Sequence, residues 1–280
     1  MISLENITFV ITTFRSNKTI FNCLDSIPTK IKKIIIENSQ DENLKIALEN
    51  KYENLECFLM PENHGYGKAN NFGIKKTKTD YVFILNPDTI LAPNFLDNFL
   101  DKLKSEEFSI AAPLEKNDMF DHLFKDNEIA DVAHVKGFAM LLNKKNLFQT
   151  LFDENFFLYL EEIDLCRNIK AHNGRIIIVN IKIKHEGGNS HGNRDDFEME
   201  KSRNWHWMWS KFYYKKKHNG YLIGIVVTFP NFLSSLIKYL FYSFTKNIKK
   251  KMIYKMRFLG LLNSYLLKKS YYRPNIDKIK

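Results

Sequence analysis

The 280-residue sequence has little cysteine, and the three it has are poorly placed for cross-linking or for zinc. Cys23, Cys57 and Cys166 are odd in number, far apart and set in no Cys-x-x-Cys or Cys/His spacing, which excludes a disulfide framework and a zinc finger. A reducing cytoplasm suits them. Glycine and proline are sparse, at 11 and 7 residues, so collagen-like and low-complexity architectures drop out. No internal repeat is visible. The opening MISLENITFVITTF has neither a basic n-region nor a small-residue cleavage site, and no signal peptide is expected there. A clean apolar run of about 20 residues, as a spanning helix needs, is missing too. The most apolar stretch, 221–244, contains Pro230, Asn231, Ser234, Ser235 and Lys238, which reads against a membrane crossing.

Acidic residues are the most informative shortage. Residues 201–280 carry 18 Lys/Arg against one acid, Asp277, whereas residues 1–200 carry 24 against 31, a balance of −7. The chain is therefore two electrostatic objects, expected as a domain over 1–200 and a basic extension over 201–280. In the extension, Phe232, Leu233, Leu236, Ile237, Leu240, Phe241 and Phe244 fall at helical spacing, with Ser234, Ser235, Lys238 and Ser243 between them. Lysines then cluster in TKNIKKKMIYKMRF, 245–258. That pattern fits a helix lying in the interface of an anionic membrane; the alternative is a core-packing helix with a solvated lysine face. Nucleic acid is a weaker partner, since the aromatics sit on the apolar stripe and no nucleic-acid-binding motif is present.

What is present in the first 200 residues is alternation. ITFVITT (7–13), KKIIIEN (32–38) and YVFILN (81–86) are rich in β-branched residues and alternate with helix-compatible stretches at 18–26, 44–52 and 68–76. This order predicts an α/β fold with a mostly parallel sheet flanked by helices. Ligands of such sheets bind beyond the carboxyl ends of the strands, which here are Thr13-Phe14-Arg15, Glu37-Asn38-Ser39 and Asn86-Pro87-Asp88. No Gly-x-Gly-x-x-Gly follows the first strand, which disfavours the dinucleotide version of the architecture.

Four further segments carry chemistry. Asp88 at a strand end can hold a hard divalent cation that binds a diphosphate, though Asn-Pro-Asp is also an ordinary turn. In NHGYGKANNFGIK (63–75), Gly65 and Gly67 permit close backbone approach, and Lys68, Asn70 and Asn71 offer donors to phosphate or sugar; a glycine-rich start to a helix reads the same way. FDENFFLYLEEIDLCRN (152–168) gathers Glu161, Glu162 and Asp164. In a helix from 161, Glu161 and Asp164 share a face and Glu162 points elsewhere, while all three also complement a helix N-terminus. RIIIVNIKIKHEGGNSHG (175–192) reads as a strand ending at His185, a candidate metal or phosphate ligand or simply a polar loop residue.

In this order the segments resemble the inverting glycosyltransferase family 2, particularly its bacterial rhamnosyltransferase-like branch, over about residues 7–192. VITTFRS is similar to the opening of the nucleotide pocket, which implies donor contacts from Thr13, Phe14 and Arg15. IIIENSQDEN resembles the family's Asp-Asn-x-Ser signature with Glu37 in place of the base-recognising Asp, beside Asn38. NHGYGKANNFGIK matches the loop through Asn63, Gly65, Ala69, Asn71 and Gly73, with Gly67 and Lys68 inside it. LNPDTIL is similar to the metal signature, implying Asp88 as ligand beside Asn86. LYLEEIDLC resembles aromatic-x-Glu-Asp-x-Asp-Leu, by which the base is Glu162, flanked by Glu161 and Asp164. Gly137 resembles the glycine before the acceptor-side strand, and His185 in HEGGNS the family's His-x-Gly-Gly-x-Ser loop, implying contact with metal or diphosphate. Asn168 stands where the family often has arginine, and Arg167 precedes it.

The resemblance implies a GT-A fold and sugar transfer with inversion from a nucleotide-diphosphate donor, a dTDP- or UDP-sugar with dTDP-L-rhamnose first, assisted by Mg²⁺ or Mn²⁺. The implied acceptor is a glycan or polyprenyl-diphosphate-linked hydroxyl. The implied location is cytoplasmic, peripheral on the inner face of the cell membrane. The rivals are a UDP-hexose, UDP-galactofuranose or UDP-N-acetylhexosamine transferase, a non-catalytic glycan- or membrane-binding relative, and a nucleotidyltransferase, which lacks its glycine/arginine-rich phosphate loop here.

Overall fold

The computed structural model describes residues 2–116, 118–124, 128–185 and 196–275. The chain divides into two compact units, one of Met1–Phe152 with Glu162–Arg194, the other of Asp153–Glu161 with Asp195–Lys280.

In the first unit the apolar runs become β1 (Ile7–Thr13), β2 (Lys32–Glu37), β3 (Leu55–Leu59) and β4 (Tyr81–Leu85), all parallel in the order β3-β2-β1-β4. Their connections are α1 (Ile20–Asp25), α2 (Glu42–Lys51) and α3 (Gly65–Lys76). The α2 helix starts where Asp41 accepts the Leu44 N–H at 2.9 Å, satisfying one of the open donors of the first turn. Beyond β4 the sheet turns mixed. β8 (Ala139–Asn143) runs antiparallel between β4 and β6 (Ile110–Glu115), and β9 (Ile176–His185) lies parallel to β6. The short β5 (Thr89–Ile90) and β7 (Ile129–Asp131) pair antiparallel with β9. The expectation of a mostly parallel sheet thus describes its first four strands. A short apolar run such as AMLLN has no periodicity that signals direction, and β8 enters without a crossover helix.

Both faces of the sheet are covered, so successive residues of a central strand are buried, as in Val82-Phe83-Ile84-Leu85 of β4. Phe9 and Ile11 of β1 pack toward α1, α2 and α4 (Phe95–Leu103), while Val10 packs toward α3 and α5 (Glu161–Ala171). Gly73 lets α3 lie directly on β1, where any Cβ would strike the Val10 side chain.

The second unit contains α6 (Phe197–Asn219), α7 (Tyr221–Ser243) and α8 (Ile248–Tyr265), each packed on the other two. Asp196 caps α6 by accepting from Met199 N–H, and Asn247 caps α8 by accepting from Lys250 N–H. Gly220, at φ 89°, is the hinge residue between α6 and α7, a conformation that suits glycine. Trp205, Trp209 and Met256 form one apolar cluster and Met208, Phe212 and Leu261 another.

Two expectations about the extension change. The stretch with Pro230 is one 23-residue helix, and α7 is long and apolar enough by length and composition to cross a membrane. Its expected polar side is also partly inward. Ser235 is buried and Ser243 half-buried, while Leu233, Ile237, Leu240, Phe241 and Phe244 are exposed.

Candidate active site

The strand ends expected to bear ligands come together in the first unit. The parallel register sets Thr13 beside Glu37, and the segments after them are tied by their own polar groups. Arg15, at φ 54°, donates its N–H to Ser39 Oγ at 3.2 Å. Glu37 is fully buried, and its carboxylate accepts the Ser39 hydroxyl, the Ser39 N–H and the Asp41 N–H. Asn38 spans to the next element: its amide donates to Gly65 O at 3.3 Å and its oxygen accepts from His64 N–H at 3.4 Å. Asn63 accepts from Gly65 N–H, and Gly65 adopts φ 78° to start α3. Thr13, Phe14, Arg15, Glu37, Asn38, Asn63, Gly65 and Gly67 thus belong to one rim, and Lys68 is half-buried on the first turns of α3. Asn71 does not face that rim. It is 2% exposed and clasps the backbone of Phe152 with both amide atoms, at 2.9 and 3.0 Å. Expected as a donor to ligand, it is placed as a structural bridge.

The second part of the site forms where β5 meets β9. Their register pairs Thr89 with His185 and so sets His185 beside Asp88. Asp88 is 3% exposed, and its Oδ1 lies 3.4 Å from His185 Nε2. On the other ring edge, Nδ1 lies 3.1 Å from Glu115 Oε1; an ionised carboxylate only accepts, so Nδ1–H is the donor. Phe138 stacks on the imidazole at 4.3 Å and 8°. Burial lowers the proton affinity of His185, but Asp88 and Glu115 outweigh it and hold the ring above its ordinary value. Glu115 also pairs with Lys136, which reaches Asp118 at 3.1 Å. Burial opposes ionisation of Glu115, yet Lys136 and His185 bring its carboxyl below the ordinary value. Glu115, Lys136 and Phe138 were not singled out in the sequence, although Glu115 ends an apolar strand as Asp88 nearly does.

Of this pair, the Asp88 carboxylate is the ligand a hard divalent ion takes: Mg²⁺ binds through one or two carboxylates and completes its shell with water and substrate phosphates. The His185 imidazole is the softer donor. Among the described residues no group of three His, Cys, Asp or Glu is placed to hold a metal ion. Residues 186–190 of the His185 loop lie outside the described residues.

The acidic motif forms the third part. Glu161 and Asp164 are buried on one side of α5, and Asn168 donates to Asp164 at 3.1 Å. Glu162, half-buried, points elsewhere, as the helical spacing predicts. A Cβ added at Gly137 would stand 3.5 Å from Glu162 Cβ and 3.6 Å from the Tyr66 hydroxyl. Tyr66 in turn donates to Gly137 O. Loss of hydration raises the Glu162 carboxyl, with the N–H groups of Glu162 and Ile163 acting the other way. The space beside Gly137 is thus bounded by the base of the Glu162 side chain, and the very next residue, Phe138, covers His185. One peptide step, about 3.8 Å between Cα atoms, separates the two positions along the chain. Asn86 N–H donates to Phe138 O at 2.8 Å and fixes that step to the end of β4.

The pattern defining glycosyl transferase family 2 matches residues 8–164, more than half of the chain. The chain belongs to glycosyltransferase family 2. It is 22% identical over 197 residues to the low-salt glycan biosynthesis hexosyltransferase Agl10 of Haloferax volcanii, covering 61% of this chain and 63% of that one. It is 35% identical over 106 residues to the poly-β-1,6-N-acetyl-D-glucosamine synthase of Staphylococcus aureus, covering 34% of this chain and 26% of the synthase. The chain thus spans less than two thirds of these relatives. Among solved structures, the mannosyltransferase PcManGT of Pyrobaculum calidifontis superposes with TM-score 0.58 at 12% identity over 94% of this chain and 88% of that one. Residues 1–349 of S. aureus TarS give 0.54 at 14% identity over 95% and 93%. These likenesses give the fold: GT-A, with a C-terminal helical part.

Proposed function

We propose that the protein transfers a sugar from a nucleoside-diphosphate donor to a hydroxyl group with inversion at the anomeric carbon. The observation that supports this is the buried Asp88/His185 pair, 3.4 Å apart, with Phe138 stacked on the imidazole and the preceding Gly137 beside the base of the Glu162 side chain. Inversion by direct displacement needs two things: a base for the acceptor proton and neutralisation of the leaving diphosphate. Glu162 takes the proton. Asp88 and His185 hold Mg²⁺ or Mn²⁺, which when bound neutralises the diphosphate oxygens. Thr13, Phe14, Arg15, Glu37, Asn38, Asn63, Gly65, Gly67, Lys68 and Asn86 border the nucleotide, Glu115 orients the His185 ring, and buried Glu161 and Asp164 hold the start of α5. PcManGT is described with GDP-mannose and Mn²⁺, and TarS with UDP-GlcNAc, which supports a metal-assisted nucleotide-sugar site of this kind.

For the donor, the resemblance puts dTDP-L-rhamnose first. The relatives named for hexose and N-acetylglucosamine chemistry favour a UDP-hexose or UDP-N-acetylhexosamine as the second reading. The acceptor is a glycan or polyprenyl-diphosphate-linked hydroxyl at the cytoplasmic face of the membrane, with catalysis in residues 1–200 and membrane attachment in 201–280.

The test is release of nucleoside diphosphate from a panel of dTDP-, UDP- and GDP-sugars with Mn²⁺, by the wild type and by Glu162→Gln. A positioned base is worth about 10²–10⁴-fold. Glu162→Gln is expected to lose that much turnover while donor affinity stays within about twofold. Undiminished turnover in the variant would remove Glu162 from the role, and no release from any donor would remove the transferase reading.

A further inference from the structure

The α7 helix is apolar on both of its sides. A surface helix of a water-soluble protein turns large apolar residues inward and polar ones outward. Here Ile225 and Phe232 pack against the other helices beside the buried Gly224, Thr228 and Ser235; Gly224 lies against Phe212, and Thr228 shares a hydrogen bond with the Tyr265 hydroxyl. The outward side carries Leu222, Val226, Phe229, Leu233, Ile237 and Leu240, 45–76% exposed, at intervals of three or four residues. At 1.5 Å per residue this stripe runs for about 30 Å. Monomeric soluble proteins rarely leave a continuous apolar strip of that size in water.

The stripe runs directly into a basic turn. Phe244 is 91% and Ile248 71% exposed, and they alternate with exposed Lys246, Lys249 and Lys250. Glu200 offsets the charge of Lys249 at 2.9 Å, and exposed Lys246 and Lys250 keep the turn positive. With 18 Lys/Arg against one acid in residues 201–280, a second copy of this part brings like charge to like charge. An anionic phospholipid surface offers the complement to both features, hydrocarbon for the stripe and phosphate for the lysines. A crossing orientation fits worse although α7 is long enough for one. Its inner side is packed against α6 and α8, and α8 would carry Lys249, Lys250, Lys251 and Lys255 into hydrocarbon, where charge is costly.

We propose that the outward side of α7 and the α7–α8 turn form a docking surface for an anionic membrane, with α7 lying in the plane of one leaflet. The aliphatic stripe sinks among the acyl chains and the lysines stay at the headgroups. The inference deepens the membrane attachment proposed above for residues 201–280, and its observations and test are separate from the transferase chemistry.

The test is co-sedimentation of the full chain with vesicles of phosphatidylcholine alone or with about 30% phosphatidylglycerol. Binding is expected to the anionic vesicles and not to the neutral ones. Leu233→Glu/Ile237→Glu, at exposed positions, is expected to lower the partition coefficient at least tenfold. Lys246→Glu/Lys250→Glu should lower it by about fivefold or more for each lysine removed. Circular dichroism and nucleotide-sugar titration should match the wild type in both variants, so that loss of lipid binding is not loss of fold. Absence of binding, or equal binding by both variants, overturns the proposal. So does a dimer in lipid-free solution that Leu233→Glu/Ile237→Glu dissolves, which would make the stripe a contact between copies. Resistance of the cell-bound protein to alkaline carbonate would overturn the in-plane orientation in favour of a crossing one.

Discussion

Glu162 is where residue chemistry and the proposed reaction meet. A general base works only when ionised, and loss of hydration raises this carboxyl above its ordinary value of 4.5. The rate should therefore fall as pH falls through a limb set above 4.5 and displaced toward neutrality, with the base protonated and idle on the acid side. A kcat profile against pH with saturating donor checks this; a limb at or below 4.5 would contradict the assignment. The residues that carry the site differ in how far the sequence exposes them. Asp88 and His185 both stand at strand ends after unmistakable apolar runs, and the helical spacing from Glu161 already separates Glu162 from its two acidic neighbours. Glu115 obeys the same strand-end rule, but its strand IAAPLE contains proline, which disguises it. Asn71 is misleading for another reason. The sequence shows that an amide is there but not that Phe152, 81 residues on, presents a backbone N–H and C=O to it.

At the scale of elements, the parallel strands β1, β2 and β4 and the helices between them were legible because buried parallel strands are apolar on both faces. The antiparallel insertion of β8 was not, since direction is fixed by partners distant in the chain. For α7 the periodicity left two readings open, a helix on a membrane surface and a core-packing helix. Which residues meet protein depends on the partners: Ile225, Phe232 and the small Gly224, Thr228 and Ser235 meet the other helices, and Leu233, Ile237 and Leu240 stay exposed. The α6 helix carries a different device. His206 is fully buried, stacked on Phe157 at 4.3 Å, and its Nε2–H donates to Tyr272 O at 2.8 Å while Nδ1 accepts from Ser270 Oγ at 2.9 Å. The neutral ring makes both bonds with the Ser270 hydroxyl donating; a protonated ring would need that hydroxyl turned to accept. Burial lowers its pKa from 6.5 to about 3, with the charge of Arg273 acting in the same sense and the Tyr272 bond opposing. A folded-state value below the unfolded one means that the stability is complete above pH 6.5 and drains away as pH falls toward 3. Between those limits the second unit should lose up to about 1.4 kcal/mol per pH unit from this group. Chemical denaturation at pH 7.0, 6.0 and 5.0 followed by tryptophan fluorescence checks it, since Trp205 and Trp209 lie beside the ring and α8. His206→Gln should be less stable at pH 7 and should flatten the slope. An unchanged slope in His206→Gln would place the acid sensitivity elsewhere.

At the scale of the whole molecule, the charge division was the plainest message of the sequence: a mildly acidic part holding the strand-end motifs and a basic part holding the exposed apolar stripe. Each has its own physical logic. The first concentrates carboxylates and one imidazole where a sheet's strand ends converge, and the second presents hydrocarbon and lysine to a surface that takes both. The central claim concerns the first, namely that Asp88 with His185 holds the ion that secures a nucleotide diphosphate. Its most direct test is calorimetric titration of the protein with dTDP- and UDP-sugars, with and without Mn²⁺, on the wild type and on Asp88→Ala. The account predicts donor binding at least tenfold tighter with Mn²⁺ in the wild type, and no such gain in Asp88→Ala. Donor binding that is indifferent to Mn²⁺ in the wild type, or a full Mn²⁺ gain in Asp88→Ala, would contradict it.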